Sequence, residues 1–99
     1  MKRLTAKDRA KLRSLANPLE ITLHVGKNGV SGALIRELSD TLLAHELVKC
    51  RVQDGALLTA REACDAACEA TGAQPVQVIG TRFVIYKPHP NPEKRRVKF

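Results

Sequence analysis

Residues 26–29, which read Gly-Lys-Asn-Gly, are the residues of this chain whose types and spacing best suit the binding of a phosphate. Gly26 and Gly29 allow a sharp bend and a close approach of the backbone to a ligand, Lys27 adds a cation, and Asn28 tolerates a left-handed conformation. The loop lies between a predicted strand and a predicted helix, whose unpaired N–H groups and dipole attract anions. A GxxG tetrapeptide also occurs in ordinary tight turns. The GxxG pattern alone is therefore weak support for phosphate contact, and the stronger support is its position between a strand and a helix in a basic chain.

This loop differs from the glycine-rich loops that bind nucleotides. The chain has no GxxxxGK[ST] sequence, and it lacks the third glycine and the downstream acidic residue of the dinucleotide-binding pattern. We therefore expect contact with a phosphate backbone and no cofactor.

Other residues that carry chemistry do not form a recognisable catalytic or metal site. Cys64 and Cys68 lie on the apolar stripe of a predicted helix and Cys50 lies on the apolar side of a predicted strand, so core packing is the favoured interpretation. His24 precedes the glycine loop and could approach a phosphate, although an exposed strand histidine is the simpler interpretation. The carboxylates are scattered, without an acid–base pair. We expect neither a metal site nor an enzyme.

Hydrophobic periodicity predicts the elements that position the loop. Apolar residues recur at helical steps in three segments and alternate with polar residues in four others. Thr5 and Asp8 indicate a capping box, Ser31 an N-cap, and Gly72 a left-handed C-cap. The predicted helices lie between residues 5 and 17, 31 and 45, and 57 and 72, and the predicted strands are 21–25, 47–52, 75–79 and 82–87.

The resulting element order, α-β-α-β-α-β-β, predicts an α/β (α+β) fold with a four-stranded mixed sheet. Helical connections suit parallel pairing early in the chain, and the short link at Gly80 suits an antiparallel hairpin late. Strand alternation groups several polar residues on one sheet face, which predicts helices mainly on the other face and a two-layer sandwich. These polar residues are Thr22, His24, Lys49, Arg51 and Gln77.

The net charge of +7 is concentrated at the two ends of this 99-residue chain. Residues 1–25 hold six basic and two acidic residues, residues 88–99 hold four and one, and residues 26–87 hold seven of each. Basic segments that flank a neutral core are typical of proteins that bind polyanions, because neutralised phosphates release counterions. We expect one domain over residues 1–88 and an extended, poorly ordered basic tail over residues 89–99.

The location of the protein follows from what the sequence lacks. The apolar runs are too short to span a bilayer, and the basic N-terminus has no continuous apolar core of a signal peptide. Three cysteines cannot all pair, which favours a reducing compartment. We expect a cytoplasmic protein with no membrane partner.

Several ordered motifs resemble the CRM domain, and specifically the small stand-alone bacterial YhbY-like RNA-binding proteins. The motifs are LRSLANPLEITLHVGKNGVS, HELVKCRV, EATGAQPVQVIG and RFVIYKP, and the resemblance covers roughly residues 4–88. It implies a fold similar to the C-terminal domain of translation initiation factor three and an association with precursors of the large ribosomal subunit. It also likens the loop at residues 26–29 to the loop with which KH domains clamp a nucleic-acid backbone.

The predicted function is therefore non-enzymatic binding of RNA, with precursor rRNA of the large subunit as the partner. The first predicted helix and the tail would add phosphate contacts. Residues at the end of the last predicted strand, 82–87, would add further contacts to the RNA. The predicted RNA-binding residues are Gly26, Lys27, Asn28, Gly29, Lys7, Lys11, Tyr86, Lys87, Arg95 and Arg96. Two alternatives remain open, a protein-interaction adaptor that uses the exposed sheet face and, less favoured, a small thiol enzyme. The sequence does not determine the oligomeric state, for which a monomer is favoured.

Overall fold

The computed structural model describes residues 3–97 and 99 and confirms the predicted order of elements. The first three helices and four strands alternate as expected, and a short 3-10 helix follows them in the tail. In chain order the elements are α1 (Ala6–Ala16), β1 (Leu23–Val25), α2 (Gly32–His45), β2 (Leu47–Val52), α3 (Ala60–Thr71), β3 (Gln74–Ile79), β4 (Arg82–Tyr86) and the 3-10 helix (Pro92–Lys94).

The four strands form one mixed sheet in the order β1-β2-β4-β3. β1 and β2 are parallel, and β4 pairs antiparallel with both β2 and β3. The parallel pair requires a crossover connection, which α2 provides, while β3 and β4 are joined by a turn at Gly80 with φ of 58°. Since β1 and β2 are parallel, the loops that follow them, β1–α2 and β2–α3, lie at the same edge of the sheet.

Local sequence sets the helix ends. The Thr5 hydroxyl and the Asp8 carboxylate form the predicted capping box of α1, and Ser31 caps α2. Gly72 ends α3 with φ of 80°, as predicted. A second capping box, between Thr59 and Glu62, starts α3 later than the apolar pattern suggested, so Leu57 lies outside the helix and is 93% exposed.

Helices cover both faces of the sheet, so the two-layer prediction is incomplete. α2 and α3 pack on one face and share a core with alternate residues of β1, β2 and β4. α1 packs on the other face through Leu12 and Ala16, which contact a second cluster that includes Val84 and Tyr86. The strand pattern missed this third layer because part of that face is polar and only its other part carries the apolar residues that α1 buries.

The tail folds back onto the domain, which corrects the expectation of an extended, poorly ordered arm for residues 89–97. The carboxylate of Glu46, at the end of α2, accepts backbone N–H groups of His89 (2.9 Å), Arg96 and Val97 (2.9 Å). The Tyr86 ring lies edge-on to that of Phe99, with 5.5 Å between their centroids. A buried carboxylate with these donors holds the tail against the body of the protein.

Within the described residues, no helix has the length and apolar character that a membrane crossing requires.

Candidate nucleic-acid interface

The glycine loop forms a tight turn at the end of β1. The Gly29 N–H donates to the Gly26 carbonyl at 3.0 Å, and Gly29 adopts φ of 65°, a region that favours glycine. Lys27 and Asn28 stand at the tip of this turn and are exposed to solvent. The loop thus presents one cation and one amide side chain outward on a closed backbone turn.

The neighbouring β2–α3 loop packs against the glycine loop. The Gln53 N–H donates to the Val25 carbonyl at 2.9 Å, and a Cβ added to Gly26 would lie 3.4 Å from the Gln53 side-chain oxygen. A Cβ on Gly29 would lie 3.7 Å from the Leu58 side chain. The two loops therefore pack together at one edge of the sheet, and Gly26 is the position where the neighbouring side chain approaches most closely.

The N-terminus of α2 follows the glycine loop directly. The Ser31 side chain accepts the N–H of Leu34 at 3.2 Å, and the hydrogen bonds found among the described residues do not use the N–H groups of Gly32 and Ala33. These groups and the helix dipole create a positive potential beside Lys27. The arrangement can bind an anionic oxygen next to the tip of the loop.

Lys7 and Lys11 lie on the exposed side of α1, one helical turn apart, while Leu12 faces the sheet. α1 covers the sheet face opposite α2 and α3, and its C-terminal end is tied to β2 by a hydrogen bond from Lys49 Nζ to the Asn17 carbonyl at 3.3 Å. Both lysines are thus available to a polyanion. They lie on the helix that covers one face of the sheet, whereas the glycine loop lies at the end of β1.

Tyr86 and Lys87 have structural partners at the opposite edge of the sheet from the glycine loop. Tyr86 is only 5% exposed and packs in the cluster beneath α1, so its ring is not open for stacking on a base. Lys87 Nζ donates to the Thr71 carbonyl at 2.6 Å, at the C-terminal end of α3. The structure therefore gives Tyr86 a packing role and Lys87 a helix-capping role, and it does not bring them together with residues 26–29.

Arg95 and Arg96 are exposed in the tail, near the same far edge. The Arg95 side chain donates to the His89 carbonyl at 3.0 Å, and the backbone of Arg96 donates to Glu46. Their positions are set by the folded tail, so any phosphate contact they make lies at the other end of the sheet from the glycine loop.

Two arginines that were not predicted to bind RNA lie on the two strands that follow β1 across the sheet. Arg51 and Arg82 are exposed near the end of β2 and the start of β4, and they are register partners. His24, the register partner of Arg51 on β1, is also exposed. Alternation placed Arg51 on a polar face, but only the β2–β4 register brings Arg82 next to it.

The cysteines are packing residues, as expected. Cys50 and Cys64 are buried, Cys68 is partly buried, and all three are free thiols. Burial, with a smaller contribution from Cys64, raises the pKa of the Cys50 thiol to about 12, which opposes formation of a reactive thiolate. Among the described residues, no cluster of His, Cys, Asp or Glu has the composition of a metal site.

The fold and the chain as a whole place this protein in a known class. Residues 4–87 match the CRS1/YhbY (CRM) domain, and the chain belongs to this family. The resemblance seen in the motifs is thereby confirmed.

Small bacterial proteins are similar to the chain over nearly their whole length. The "Probable RNA-binding protein YqeI" of Bacillus subtilis is 34% identical over 84 residues, which are 85% of this chain and 88% of the relative. An "RNA-binding protein" of Haemophilus influenzae is 32% identical over 88 residues, 89% of each chain. The solution structure of the hypothetical protein SAV1595 from Staphylococcus aureus matches with a TM-score of 0.78 at 32% identity, covering 97% of this chain and all of that one.

Proposed function

We propose that this protein binds RNA through the glycine loop, residues 26–29, and the adjoining N-terminus of α2. The observation that carries the proposal is the closed turn at the end of β1, which presents Lys27 and Asn28 to solvent next to N–H groups of α2. A cation, a polar amide and a helix N-terminus at one place suit a phosphate of the RNA backbone. Similarity to bacterial proteins that are named as RNA-binding proteins supports this choice of polyanion.

Exposed basic residues elsewhere would strengthen binding without selecting a sequence. Lys7 and Lys11 on α1, together with Arg95 and Arg96 in the tail, carry charges that are open to solvent. Phosphate contacts of this kind release counterions and make the affinity fall with added salt. We propose these four residues as secondary contacts and leave out Tyr86 and Lys87, whose side chains have partners within the fold.

The K27D/N28D double variant tests the role of the loop. We expect its affinity for a structured fragment of ribosomal RNA to fall at least tenfold at equal salt, because two carboxylates would face the phosphate. The R36E/S39E variant is a matched control, since it changes the net charge by the same amount on the exposed side of α2. If both variants bind as tightly as the parent, or lose affinity equally, the glycine loop is not the binding site.

We further propose that the RNA is precursor rRNA of the large ribosomal subunit and that the protein acts in subunit assembly by binding, without catalysis. This partner is what the family resemblance implies. Crosslinking of the protein to RNA in cells, followed by sequencing of the bound fragments, should recover large-subunit rRNA with unprocessed ends. Recovery of messenger RNA or transfer RNA in its place would contradict the assembly role and leave RNA binding intact.

A protein-interaction adaptor makes a different prediction. If the protein reached ribosomal particles through another protein, nuclease digestion of the RNA would leave that association intact. Under the proposed function the association is lost. We place this activity in the cytoplasm, in keeping with three free cysteines that a reducing compartment would maintain.

A further inference from the structure

We propose that His24, Arg51 and Arg82 form a basic stripe across the sheet that binds the phosphate backbone of a single-stranded RNA segment leaving the glycine loop. The proposal rests on the proposed function, since it extends the path of the same RNA. It assigns a second contact surface to residues of β1, β2 and β4 that lie far apart in the sequence.

The sheet register places the three side chains in one line. His24 pairs with Arg51 across the parallel strands, and Arg51 pairs with Arg82 across the antiparallel strands. Ile79 of β3, which is 61% exposed, pairs with Arg82 and completes the row. Neighbouring strands lie about 4.8 Å apart, so the row of four residues spans roughly 14 Å. All four side chains point to the face of the sheet that carries α1, because their neighbours in sequence enter the core beneath α2 and α3.

The stripe begins beside the glycine loop. His24 lies two residues before Gly26, in the strand that leads into the loop, and Arg51 is its neighbour on β2. An RNA strand held at Lys27 would therefore meet Arg51 and Arg82 in turn as it crosses the sheet. The loop and the stripe form one continuous surface at the carboxyl ends of β1 and β2.

Arg51 and Arg82 form no ion pair within the described part of the protein. The two arginines are directly opposed. Like charges placed directly opposite on adjacent strands destabilise a sheet. The pair is thus unfavourable for the fold and favourable for an anionic ligand, which would relieve the repulsion on binding.

Five of the seven acidic residues in the central segment, residues 26–87, belong to α2 and α3. The acids of α2 and α3 lie outside the face that carries the stripe, because these helices cover the opposite side of the sheet. They are Glu37, Asp40, Glu62, Asp65 and Glu69. These helices also carry two basic residues, Arg36 and Arg61, so together they place a net negative charge on the face opposite the stripe.

α1 limits the width of the exposed surface. Lys49, two residues before Arg51, contacts the C-terminal end of α1, and its register partner Val84 is buried beneath that helix. Two residues along a strand correspond to about 7 Å, so the band between α1 and the loop edge is narrow. Such a band fits one nucleic-acid strand, and arginine planes can also stack on its unpaired bases.

Binding of a twelve-nucleotide uridine oligomer to the R51Q/R82Q variant tests the stripe. We expect the variant to bind roughly tenfold more weakly than the parent. The slope of log affinity against log salt concentration should be smaller in magnitude by about 1.4, because two phosphate contacts on a single strand are lost. The midpoint of urea unfolding should stay the same or rise, since a repulsion is removed. The R51K/R82K variant keeps the charges and should retain most of the affinity.

The R36Q/R61Q variant is the matched control, because it removes two arginine charges from the helices on the other face. If R51Q/R82Q and R36Q/R61Q lose affinity for the oligomer equally, or if neither loses affinity, the proposal that the stripe binds RNA is wrong. An equal loss of affinity for an RNA hairpin and for the oligomer would overturn the assignment to a single strand. If K27D/N28D loses binding while R51Q/R82Q does not, the stripe fails and the proposed function stands. If the parent binds neither the hairpin nor the oligomer, the stripe and the proposed function are both wrong.

Discussion

The carboxylate of Glu46 accepts the backbone N–H of His89 at 2.9 Å, although 43 positions separate the two residues. Glu46 is 1% exposed, has a positive φ of 66°, and also accepts N–H groups of Arg96 and Val97. Burial raises the pKa of this carboxyl, but the three backbone donors lower it by more, so the pKa lies below its ordinary value of 4.5. Glu46 is thus a charged anchor that joins the end of α2 to the tail.

Replacement of Glu46 by glutamine should destabilise the protein by about 1–3 kcal/mol at neutral pH. Both carboxylate oxygens accept N–H groups in the native protein, and the amide nitrogen of glutamine would face one of these donors. Urea unfolding measures the loss. Glu69→Gln, on the exposed side of α3, should change the stability little.

The stabilisation by Glu46 should also depend on pH. Because the pKa is lower in the folded protein than in the unfolded chain, the stabilisation is complete above pH 4.5 and is lost as the pH falls through the folded pKa. The difference in unfolding free energy between parent and E46Q should therefore shrink on acidification. A difference that stayed constant from neutral pH to pH 3 would contradict this role of the charge.

Alanine substitutions at Gly29 and Gly32, three positions apart, should have opposite effects. Gly29 has φ of 65°, so Gly29→Ala should cost roughly 1 kcal/mol of stability. Gly32, at the start of α2, has no positive φ and open space where a Cβ would lie, so Gly32→Ala should stabilise by about 0.5 kcal/mol. Thermal unfolding of the two variants provides the comparison, and a stabilised G29A variant would show that the turn does not need a left-handed residue.

Tyr86→Leu should reduce stability and leave RNA binding unchanged under conditions where the variant is folded. The ring is buried beneath α1 and contacts Phe99 edge to face, an aromatic pair worth about 0.5–1.5 kcal/mol beyond its buried area. RNA affinity measured well below the unfolding midpoint checks the second part. A selective loss of affinity would restore the original prediction that Tyr86 contacts RNA.

The three cysteines should be dispensable for binding. Cys50 is buried and its pKa is raised to about 12, so a thiol reagent at neutral pH should label this residue only after unfolding. The variant with alanine at all three positions should bind RNA as the parent does and lose roughly 1 kcal/mol of stability for each buried sulfur removed. Loss of RNA binding by a folded triple variant would contradict this expectation.

Features that depend on neighbouring residues were predicted correctly from the sequence. The order of the elements follows from periodicities of two and 3.6 residues, and the caps at Thr5, Ser31 and Gly72 need only residues a few positions apart. The position of the glycine loop between β1 and α2 follows in the same way. The start of α3 was misplaced because the local capping box at Thr59 outweighed the apolar pattern that begins at Leu57.

Features that depend on distant pairs were decided by the tertiary structure. Packing of α1 on the second face buries Tyr86, the tail returns to Glu46, and sheet register sets Arg51 beside Arg82, 31 positions later in the chain. Counting charges along the sequence gave a neutral central segment, whereas folding places five of its acidic residues on the helices of one face and Arg51 and Arg82 on the other face. The composition and the local pattern thus determined which elements form and that the chain is basic. Strand register and helix packing decided which charges become neighbours, because these contacts join residues whose proximity no local pattern encodes.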